Sequence, residues 1–162
     1  MSSIDVFNDN INNIASSKGL ETYRQLADYL GINQNTLKCW QNKSRCPSLK
    51  QIDNIGNKLN VYTYDLLRSG NNLIEESKTI VNNSREQLIM NLQRKFIDKG
   101  RTTWNDKVAL FYGFLSEDVL KSYFRKKNYK TPPLKKIDEM AEALGIPPYM
   151  LIKGDIINEK EN

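Results

Sequence analysis

Four polar side chains share one face of a short segment and could contact nucleic acid. They are Gln34, Asn35, Lys38 and Gln41. The side-chain amides of Gln and Asn can pair with N6 and N7 of adenine, and a helix of this size fits the major groove of duplex DNA. We therefore predict that these four residues read bases. The alternative is a polar helix face that is merely solvated.

Two short helices joined by a glycine-centred turn must hold this face. Thr22 and Gln25 have the spacing of a capping box, so the first helix is predicted to begin at Tyr23. Gly31 ends this helix, since glycine readily adopts the left-handed conformation of a helix end. Asn33 is a good N-cap for the second helix. The predicted inward-facing residues are Leu26, Ala27, Leu30, Leu37 and Trp40.

The pattern LAxxLGINxxTLxxW over residues 26–40 resembles the phage-repressor (Cro-like) helix-turn-helix family. The segment 46–67 is similar to the turn and the fourth and fifth helices that usually follow the motif in that family. The resemblance implies an all-α, five-helix domain of the lambda-repressor type. It also implies that Gln34 and Asn35, the two residues after the helix cap, reach base edges.

Two departures from the family pattern fall at the end of the motif. Gln41 stands where members commonly have Glu, and Ser44 and Arg45 stand where a glycine is common, which leaves the path of this loop open. Side chains around the motif could hold the helix on the DNA backbone, because cations and helix N-termini bind phosphate. These predicted backbone contacts are Thr22, Arg24, Lys43 and Arg45.

The chain also repeats itself, with a shift of 85 residues over the best-matched part. Residues 47–53 (PSLKQID) match residues 132–138 (PPLKKID). Upstream the shift falls to 83 at the second helix of the motif and to 82 at the first. These changes of shift fall at turns, where insertions are tolerated. A repeat of this length indicates two copies of one structural unit.

We therefore predict two tandem five-helix, lambda-repressor-like helix-turn-helix domains, the second diverged from the first. Their expected limits are 1–70 and 84–153, with a linker over 71–83 that could hold a short helix and a polar tail over 154–162. Apolar residues at helical spacing predict the first helix of each copy. They are Ile4, Phe7, Ile11 and Ile14 in the first copy and Leu88, Ile89, Leu92 and Phe96 in the second.

The second copy is the more cationic, with fourteen basic and eight acidic side chains against eight and six in the first. Its motif helix is predicted to begin after Ser116 with Glu117 and Asp118, two acids that suit the positive end of a helix but would face phosphate in an end-on docking. Glu117 could accept a hydrogen bond from cytosine N4, and we predict base reading by Glu117 and Lys121. The alternative is a degenerate copy that is kept for pairing with another chain.

Basic residues follow this second motif helix and are predicted to contact the DNA backbone. They are Arg125, Lys126, Lys127 and Lys130. Aromatic residues lie among them, and we predict that they pack in the core or the loop rather than stack on bases. They are Tyr112, Tyr123, Phe124 and Tyr129.

Composition sets further limits. The net charge of +5 permits a polyanionic partner such as double-stranded DNA but does not establish one. Cys39 and Cys46, without any histidine, are too few ligands for a structural zinc site and are predicted to be reduced thiols. We predict no metal, no cofactor and no enzyme activity, because histidine, a glycine-rich phosphate loop and a placed carboxylate pair are all missing. Without a signal peptide or a long apolar run, the chain is predicted to be cytoplasmic and not bound to a membrane.

These patterns predict a sequence-specific transcriptional regulator that binds double-stranded DNA, a repressor of a phage or mobile element. A tandem chain could supply both halves of a dimeric reader and prefer an asymmetric site, or two chains could form a homodimer on a longer palindrome. The alternative function is a protein-interaction module, such as a phage-encoded inhibitor or anti-repressor, which Glu117 and Asp118 favour. The sequence leaves the operator, any effector and any protein partner open.

Overall fold

A computed structural model describes residues 1–70, 73, 75–111 and 113–154. These residues form nine α-helices and one 3₁₀ helix, without strands, which confirms the prediction of an all-α fold. The elements are α1 Ser3–Lys18, α2 Tyr23–Leu30, α3 Gln34–Gln41, α4 Leu49–Leu59, α5 Thr63–Leu66, α6 Ser84–Asp98, α7 Trp104–Ala109, α8 Glu117–Phe124, α9 Leu134–Leu144 and the 3₁₀ helix Pro148–Leu151. None of these helices combines the length and the apolar character that crossing a bilayer requires. Predictions for positions 71, 72, 74, 112 and 155–162 lie outside the described residues.

Helix α2 begins and ends, and helix α3 begins, where the capping residues predict. Thr22 Oγ1 accepts from the Gln25 N–H at 3.1 Å, and the Gln25 side chain accepts from the Thr22 N–H at 3.1 Å. Gly31 ends α2 with φ +74°. Asn33 Oδ1 then accepts from the Asn35 N–H at 2.8 Å, where α3 starts. Hydrogen bonds between sequence neighbours therefore define the turn between α2 and α3.

Packing against α1 holds the inner side of α3. The inward residues predicted for this segment are all buried: Leu26, Ala27, Leu30, Leu37 and Trp40. Phe7 of α1 meets the Trp40 ring edge to face, with 5.8 Å between ring centroids, a favourable arrangement for two aromatic rings. Asn8 also donates to the Trp40 carbonyl at 2.9 Å. These contacts fix α3 from one side, so its opposite side faces solvent.

The second half of the chain repeats this order of helices with a shorter α7. Leu88, Leu92 and Phe96 of α6 are buried, as predicted. α7 ends at Ala109, before the turn that contains Gly113, and Gly113 adopts left-handed backbone with φ +81°. In the first half, α2 runs directly into its terminal glycine. The turn therefore differs between the halves although its glycine keeps the same conformation.

A pair of asparagines shows that the repeat extends to tertiary contacts. Asn10 of α1 donates from Nδ2 to the Leu66 carbonyl at 2.8 Å, at the end of α5. Asn91 of α6 donates in the same way to the Leu151 carbonyl at 2.8 Å, at the end of the 3₁₀ helix. Both amides satisfy carbonyls that a helix end leaves without an internal partner. In each half, an asparagine of the first helix therefore binds the end of the last helix of the same half.

Residues 76–82 contain no helix or strand and run along the end of α4; we call this segment the strap. Asn60, which has φ +55°, donates to the Glu76 carbonyl at 2.6 Å and to the Lys78 carbonyl at 3.0 Å. Its Oδ1 accepts from the Ile80 N–H at 2.8 Å. The short helix considered for the linker is therefore wrong for the linker residues that the structure describes. Asparagine side chains take up backbone groups that a helix would have paired internally.

A glycine in α4 gives the strap room to pass. Asn82 accepts from the Thr63 N–H at 3.0 Å and donates to the Val61 carbonyl at 3.0 Å. A Cβ atom on Gly56 would lie 2.7 Å from Asn82 Nδ2 and 2.9 Å from the Val61 carbonyl oxygen, closer than packed atoms approach. The repeat equivalent of Gly56 in α9 is Ala141. Gly56 is therefore explained by the close approach of the strap.

The two halves pack directly on each other. α1 packs against α9, α6 packs against α4, and α5 packs against the 3₁₀ helix. The same apolar core contains Phe7 and Ile52 from the first half and Phe111 and Ile137 from the second. Within the described residues, none of the principal contacts between the halves involves α3 or α8. Docking of the halves therefore does not cover either of these two helices.

Candidate nucleic-acid interface

The outer side of α3 presents three of the four residues that were predicted to read bases. Gln34, Asn35 and Lys38 are exposed, and we call these three residues the α3 face. Lys38 Nζ lies 5.7 Å from the centroid of the Tyr23 ring on α2, within the range of a cation–π contact. The α3 face therefore offers two amides and one ammonium group from a helix whose other side is anchored in the core.

Gln41 differs from the prediction. Its side chain is half-buried, and its Nε2 atom is buried without a hydrogen-bond partner. Gln41 directly follows the buried Trp40 at the last turn of α3, so its side chain starts from the inner side of the helix. The prediction of four outward side chains is therefore wrong at this position. Gln41 is not part of the α3 face.

The predicted backbone contacts around α3 are not equivalent. Thr22, Arg24 and Arg45 are exposed, whereas Lys43 forms an ion pair with Asp5 of α1. The hydrogen bond from Lys43, followed by the hydrogen bonds from Ser2, lowers the pKa of Asp5 from 3.8 to about 2. The same contact with Asp5 raises the pKa of Lys43. A phosphate would thus compete with Asp5 for Lys43 but meets no such competitor at Arg45 in the described structure.

In the second half, the two predicted base readers bind each other. Glu117 Oε1 and Lys121 Nζ lie 2.8 Å apart, and each side chain is 43% exposed. They are four positions apart on α8, which is the spacing at which an acid and a base meet on a helix surface. The sequence therefore contained the signal for this ion pair. Base reading by either side chain would have to replace this exposed ion pair, which by itself is weak.

The basic loop after α8 is exposed and is held by an arginine from α6. Its exposed cations are Arg125, Lys126, Lys127 and Lys130. Arg85 Nη2 donates to the Tyr123 and Arg125 carbonyls at 2.7 Å each, and its guanidinium lies 3.7 Å from the centroid of the Tyr129 ring. The Arg85 bonds satisfy carbonyls at the end of α8. The loop is therefore ordered by a contact that leaves its own cations outward.

Sequence reasoning missed Arg85, although one signal was present. A cation in the first turn of a helix opposes the positive helix end and costs stability there. Arg85 occupies that position in α6, so a compensating contact elsewhere was to be expected. Its partners lie 38 and 40 residues away in the chain, which local patterns do not reveal.

The aromatic residues in and after α8 pack against other side chains instead of presenting their ring faces for stacking on bases. Tyr123 is only 3% exposed. Phe124 meets Trp104 edge to face, with 5.4 Å between ring centroids. Tyr129 is 47% exposed but stacks under Arg85. The packing predicted for these three rings agrees with the structure, and Tyr112 lies outside the described residues.

The two cysteines lie close in sequence but differ in exposure. Cys39 and Cys46 are free thiols, the first half-buried and the second exposed. The described residues contain no cluster of three or more His, Cys, Asp or Glu side chains that could hold an ion.

No protein family model, no curated protein and no solved structure matches this chain. Its function is therefore inferred from its own residues and their geometry.

Proposed function

We propose that this chain is a sequence-specific, double-stranded-DNA-binding transcriptional regulator. The observation that carries the proposal is the α3 face, in which Gln34, Asn35 and Lys38 are exposed while the other side of the helix is buried. An eight-residue helix with outward amides matches what the major groove accepts. Asn35 and Gln34 would read bases, and Lys38 would add a cationic contact.

Each half is proposed to be one helix-turn-helix domain of the phage-repressor type. The resemblance of residues 26–40 to that family supports this for the first half. The second half is supported by the sequence repeat and by the equivalent bonds of Asn10 and Asn91. The left-handed glycines Gly31 and Gly113 occupy the same place before α3 and α8.

The two halves would contribute differently to binding. Arg24 and Arg45 flank the α3 face and are exposed, so the first half would combine base reading with phosphate contacts. In the second half the Glu117–Lys121 pair weakens the case for base reading by α8. Its exposed loop cations Lys126 and Lys127 would act on phosphate, which carries little sequence information. The first half would then determine most of the sequence preference.

Repression is the proposed outcome, in a phage or mobile element. Occupation of a promoter is enough to exclude polymerase, whereas activation needs a further contact with it. The exposed residues described above all serve DNA contact in this proposal. A reporter gene under a promoter that contains the preferred site should lose expression when the chain is produced, and a gain of expression would contradict repression.

A salt titration tests the electrostatic part of the proposal. Phosphate contacts release counterions, so the logarithm of the binding constant should fall linearly with the logarithm of salt, with a slope near −0.9 per contact. With about six cations engaged we expect a slope of about −5. The measurement is fluorescence anisotropy on a duplex selected from a random library. Binding that is absent, or that does not change with salt, would refute DNA recognition.

Base reading is tested by removing the two amides of the α3 face. The double variant Gln34→Ala, Asn35→Ala should lose about 1–3 kcal/mol of discrimination per contact while it keeps non-specific binding. The matched control is Asn54→Ala, Gln93→Ala, which removes two exposed amides from α4 and α6. The ratio of affinities for selected and scrambled duplexes is the measured quantity. Equal ratios in the test and control variants would exclude α3 as the reader.

The second candidate function is a protein-interaction module, such as an inhibitor or anti-repressor. The observations that favour it are the acidic start of α8, with Glu117 bound to Lys121, and the partial burial of Gln41. An interaction module would keep its partner when Gln34 and Asn35 are changed. Pull-down of a protein partner by both the wild type and this double variant, without DNA, would favour the second function.

A further inference from the structure

Two carboxylates join the halves of the chain in a reciprocal way. Asp53 of α4 accepts from the Ser84 N–H at 3.0 Å and from its hydroxyl at 2.5 Å, at the start of α6. Asp138 of α9 accepts from the Ser3 N–H at 3.1 Å and from its hydroxyl, at the start of α1. Asp53 and Asp138 are equivalent in the repeat, and so are the serines at the two helix starts. Each half therefore binds the first helix of the other half with the same residue.

A second pair of contacts crosses between the halves in the same manner. The Arg68 guanidinium lies 5.8 Å from the centroid of the Tyr149 ring. Lys153 Nζ lies 5.6 Å from the centroid of the Tyr64 ring. Arg68 is the repeat equivalent of Lys153, and Tyr64 is that of Tyr149. Helix α5 meets its own counterpart, the 3₁₀ helix, between these two contacts.

Such reciprocity identifies the symmetry of the docking. When residue i of one unit contacts residue j of the other, and j contacts i in return, the interface is isologous and the units are related by a two-fold axis. A head-to-tail arrangement would instead join two different surfaces. The halves of this chain are therefore related by an approximate two-fold rotation, although the strap adds a contact that only the first half has.

The two-fold relation has a consequence for α3 and α8. A rotation by 180° does not change how far a vector points along the rotation axis. The outward directions of α3 and α8 therefore point equally far towards the same end of this axis. Duplex DNA also has two-fold axes that relate its strands. We infer that one chain binds one DNA site as a built-in dimer, and that this site is an inverted repeat of two unlike half-sites.

This inference rests on the proposed function and adds two features to it, namely one chain per site and inverted half-sites. The half-site under the α3 face would hold most of the sequence information. The half-site under α8 would be held chiefly by phosphate contacts, because Glu117 and Lys121 engage each other. The two-fold relation predicts inverted rather than direct half-sites.

Stoichiometry is the first test. The full chain is titrated into a duplex selected by the wild type, and the mass of the complex is measured by sedimentation velocity. We expect one chain per duplex, with a protected region that spans two half-sites about one helical turn apart. Two chains per selected duplex would overturn the inference while leaving DNA binding intact.

The orientation of the half-sites is tested by cleavage from tethered iron-EDTA. Cys46 is an exposed thiol in the loop after α3, and Thr131 is its repeat equivalent in the second half. One protein is Cys39→Ser, with the reagent on Cys46. The other is Cys39→Ser, Cys46→Ser, Thr131→Cys, with the reagent on the new thiol. Unlabelled forms of both proteins serve as controls for binding.

For a two-fold arrangement, the cleavage pattern of one tether on one strand should match, in the 5′ to 3′ direction, the pattern of the other tether on the opposite strand at the other end of the site. Matching patterns on the same strand would show a direct repeat, and cleavage from Cys46 alone would show that the second half does not lie on DNA. Either result would overturn the inference. Failure of the proposed function is distinguishable from these results, because no duplex would then be selected at all.

Discussion

Neighbouring charges make two cations of the first half differ in their availability to an anionic partner. Lys43 and Arg45 are two positions apart in one loop, and both are exposed. Asp5 holds Lys43 in an ion pair, whereas Arg45 has no such pair in the described structure. An exposed ion pair is weak and can be exchanged for a phosphate contact. In the proposed complex with DNA, Asp5 would therefore weaken the phosphate contact of Lys43 without preventing it.

Removing the competing charge should strengthen DNA binding. Asp5→Asn keeps a hydrogen-bonding side chain for Ser2 at the start of α1 but releases Lys43. We expect tighter binding and a salt slope that is steeper by up to about 0.9, the value for one further phosphate contact. Glu142→Gln, at an exposed position on α9, is the control for charge alone. Equal gains in both variants would show that only net charge matters.

The Asp5–Lys43 pair also predicts a pH dependence. The pKa of Asp5 is lowered to about 2 in the folded chain, below its usual value of 3.8. Its stabilising effect is therefore present above pH 4 and is lost as the pH falls from about 4 towards 2. In Lys43→Ala the carboxyl pKa of Asp5 should return towards 3.8, measured by NMR titration of its side-chain carbon. A pKa that stays near 2 would assign the shift to Ser2 instead.

The buried Tyr123 predicts that the stability of the protein also depends on pH in the alkaline range. Burial, with a smaller effect from Glu139, raises the pKa of its hydroxyl above the usual value of about 10. The protonated hydroxyl of Tyr123 contributes its full share of stability below pH 10. This share is lost as the pH rises through the pKa that the hydroxyl has in the folded chain. When the pH is raised from 8 to 11, the free energy of unfolding in urea should fall less for Tyr123→Phe than for the wild type. Tyr129→Phe, at a half-exposed ring, should behave like wild type.

The strap shows how one capping residue can organise a connection. Asn60 ends α4 in the left-handed conformation, and its side chain binds the backbone of the strap at three points. An asparagine tolerates this conformation better than most residues because its short amide bonds locally. The connection between the halves is therefore fixed to the first half rather than acting as a free tether.

Replacing Asn60 should destabilise the protein by more than the loss of its tolerance for positive φ would. Asn60→Ala loses three hydrogen bonds as well as tolerance of positive φ, and we expect a loss of about 2–4 kcal/mol in the free energy of unfolding. Asn128 has a similar φ of +52° in an exposed loop, so Asn128→Ala should lose only about 1 kcal/mol. Chemical denaturation measures both. Equal losses would mean that the strap contributes no stability.

The shared core predicts that the two halves unfold together. Core residues of both halves are continuous, and Asp53 of α4 binds Ser84 at the start of α6. In Trp104→Phe, the fluorescence of Trp40 reports the first half while circular dichroism reports all helices. We expect the two transitions to coincide in urea, as for a single cooperative unit. Two separate transitions would contradict coupling of the halves.

Loss of the Asp53 carboxylate should weaken this coupling. Asp53→Ala leaves the Thr63 hydroxyl and the Ser84 N–H and hydroxyl without their partner, and we expect a loss of about 2–4 kcal/mol. Asn54→Ala, an exposed neighbour on α4, should change stability by less than about 0.5 kcal/mol. Separation of the Trp40 and circular dichroism transitions in Asp53→Ala would confirm that this contact joins the halves. Unchanged stability would contradict its role.

The sequence by itself determined the helices, the turn before α3 and the internal repeat. Capping by Thr22 and Asn33 and the glycine at Gly31 act over two to four residues, so their effect can be read from neighbours in the chain. The spacing of Glu117 and Lys121 is equally local, and four residues along a helix is the separation that predicts an ion pair between them. The exposure of Gln34 and Asn35 also followed from helical periodicity.

Only the tertiary structure decided which predicted contacts are available and how the halves are arranged. The contact of Ser3 with Asp138 spans 135 residues, and that of Ser84 with Asp53 spans 31. The partial burial of Gln41 is likewise set by neighbours outside its own helix turn. The physical reason is that periodicity and capping fix the directions of side chains within one helix. The neighbours that these side chains meet are fixed only when distant helices share a core.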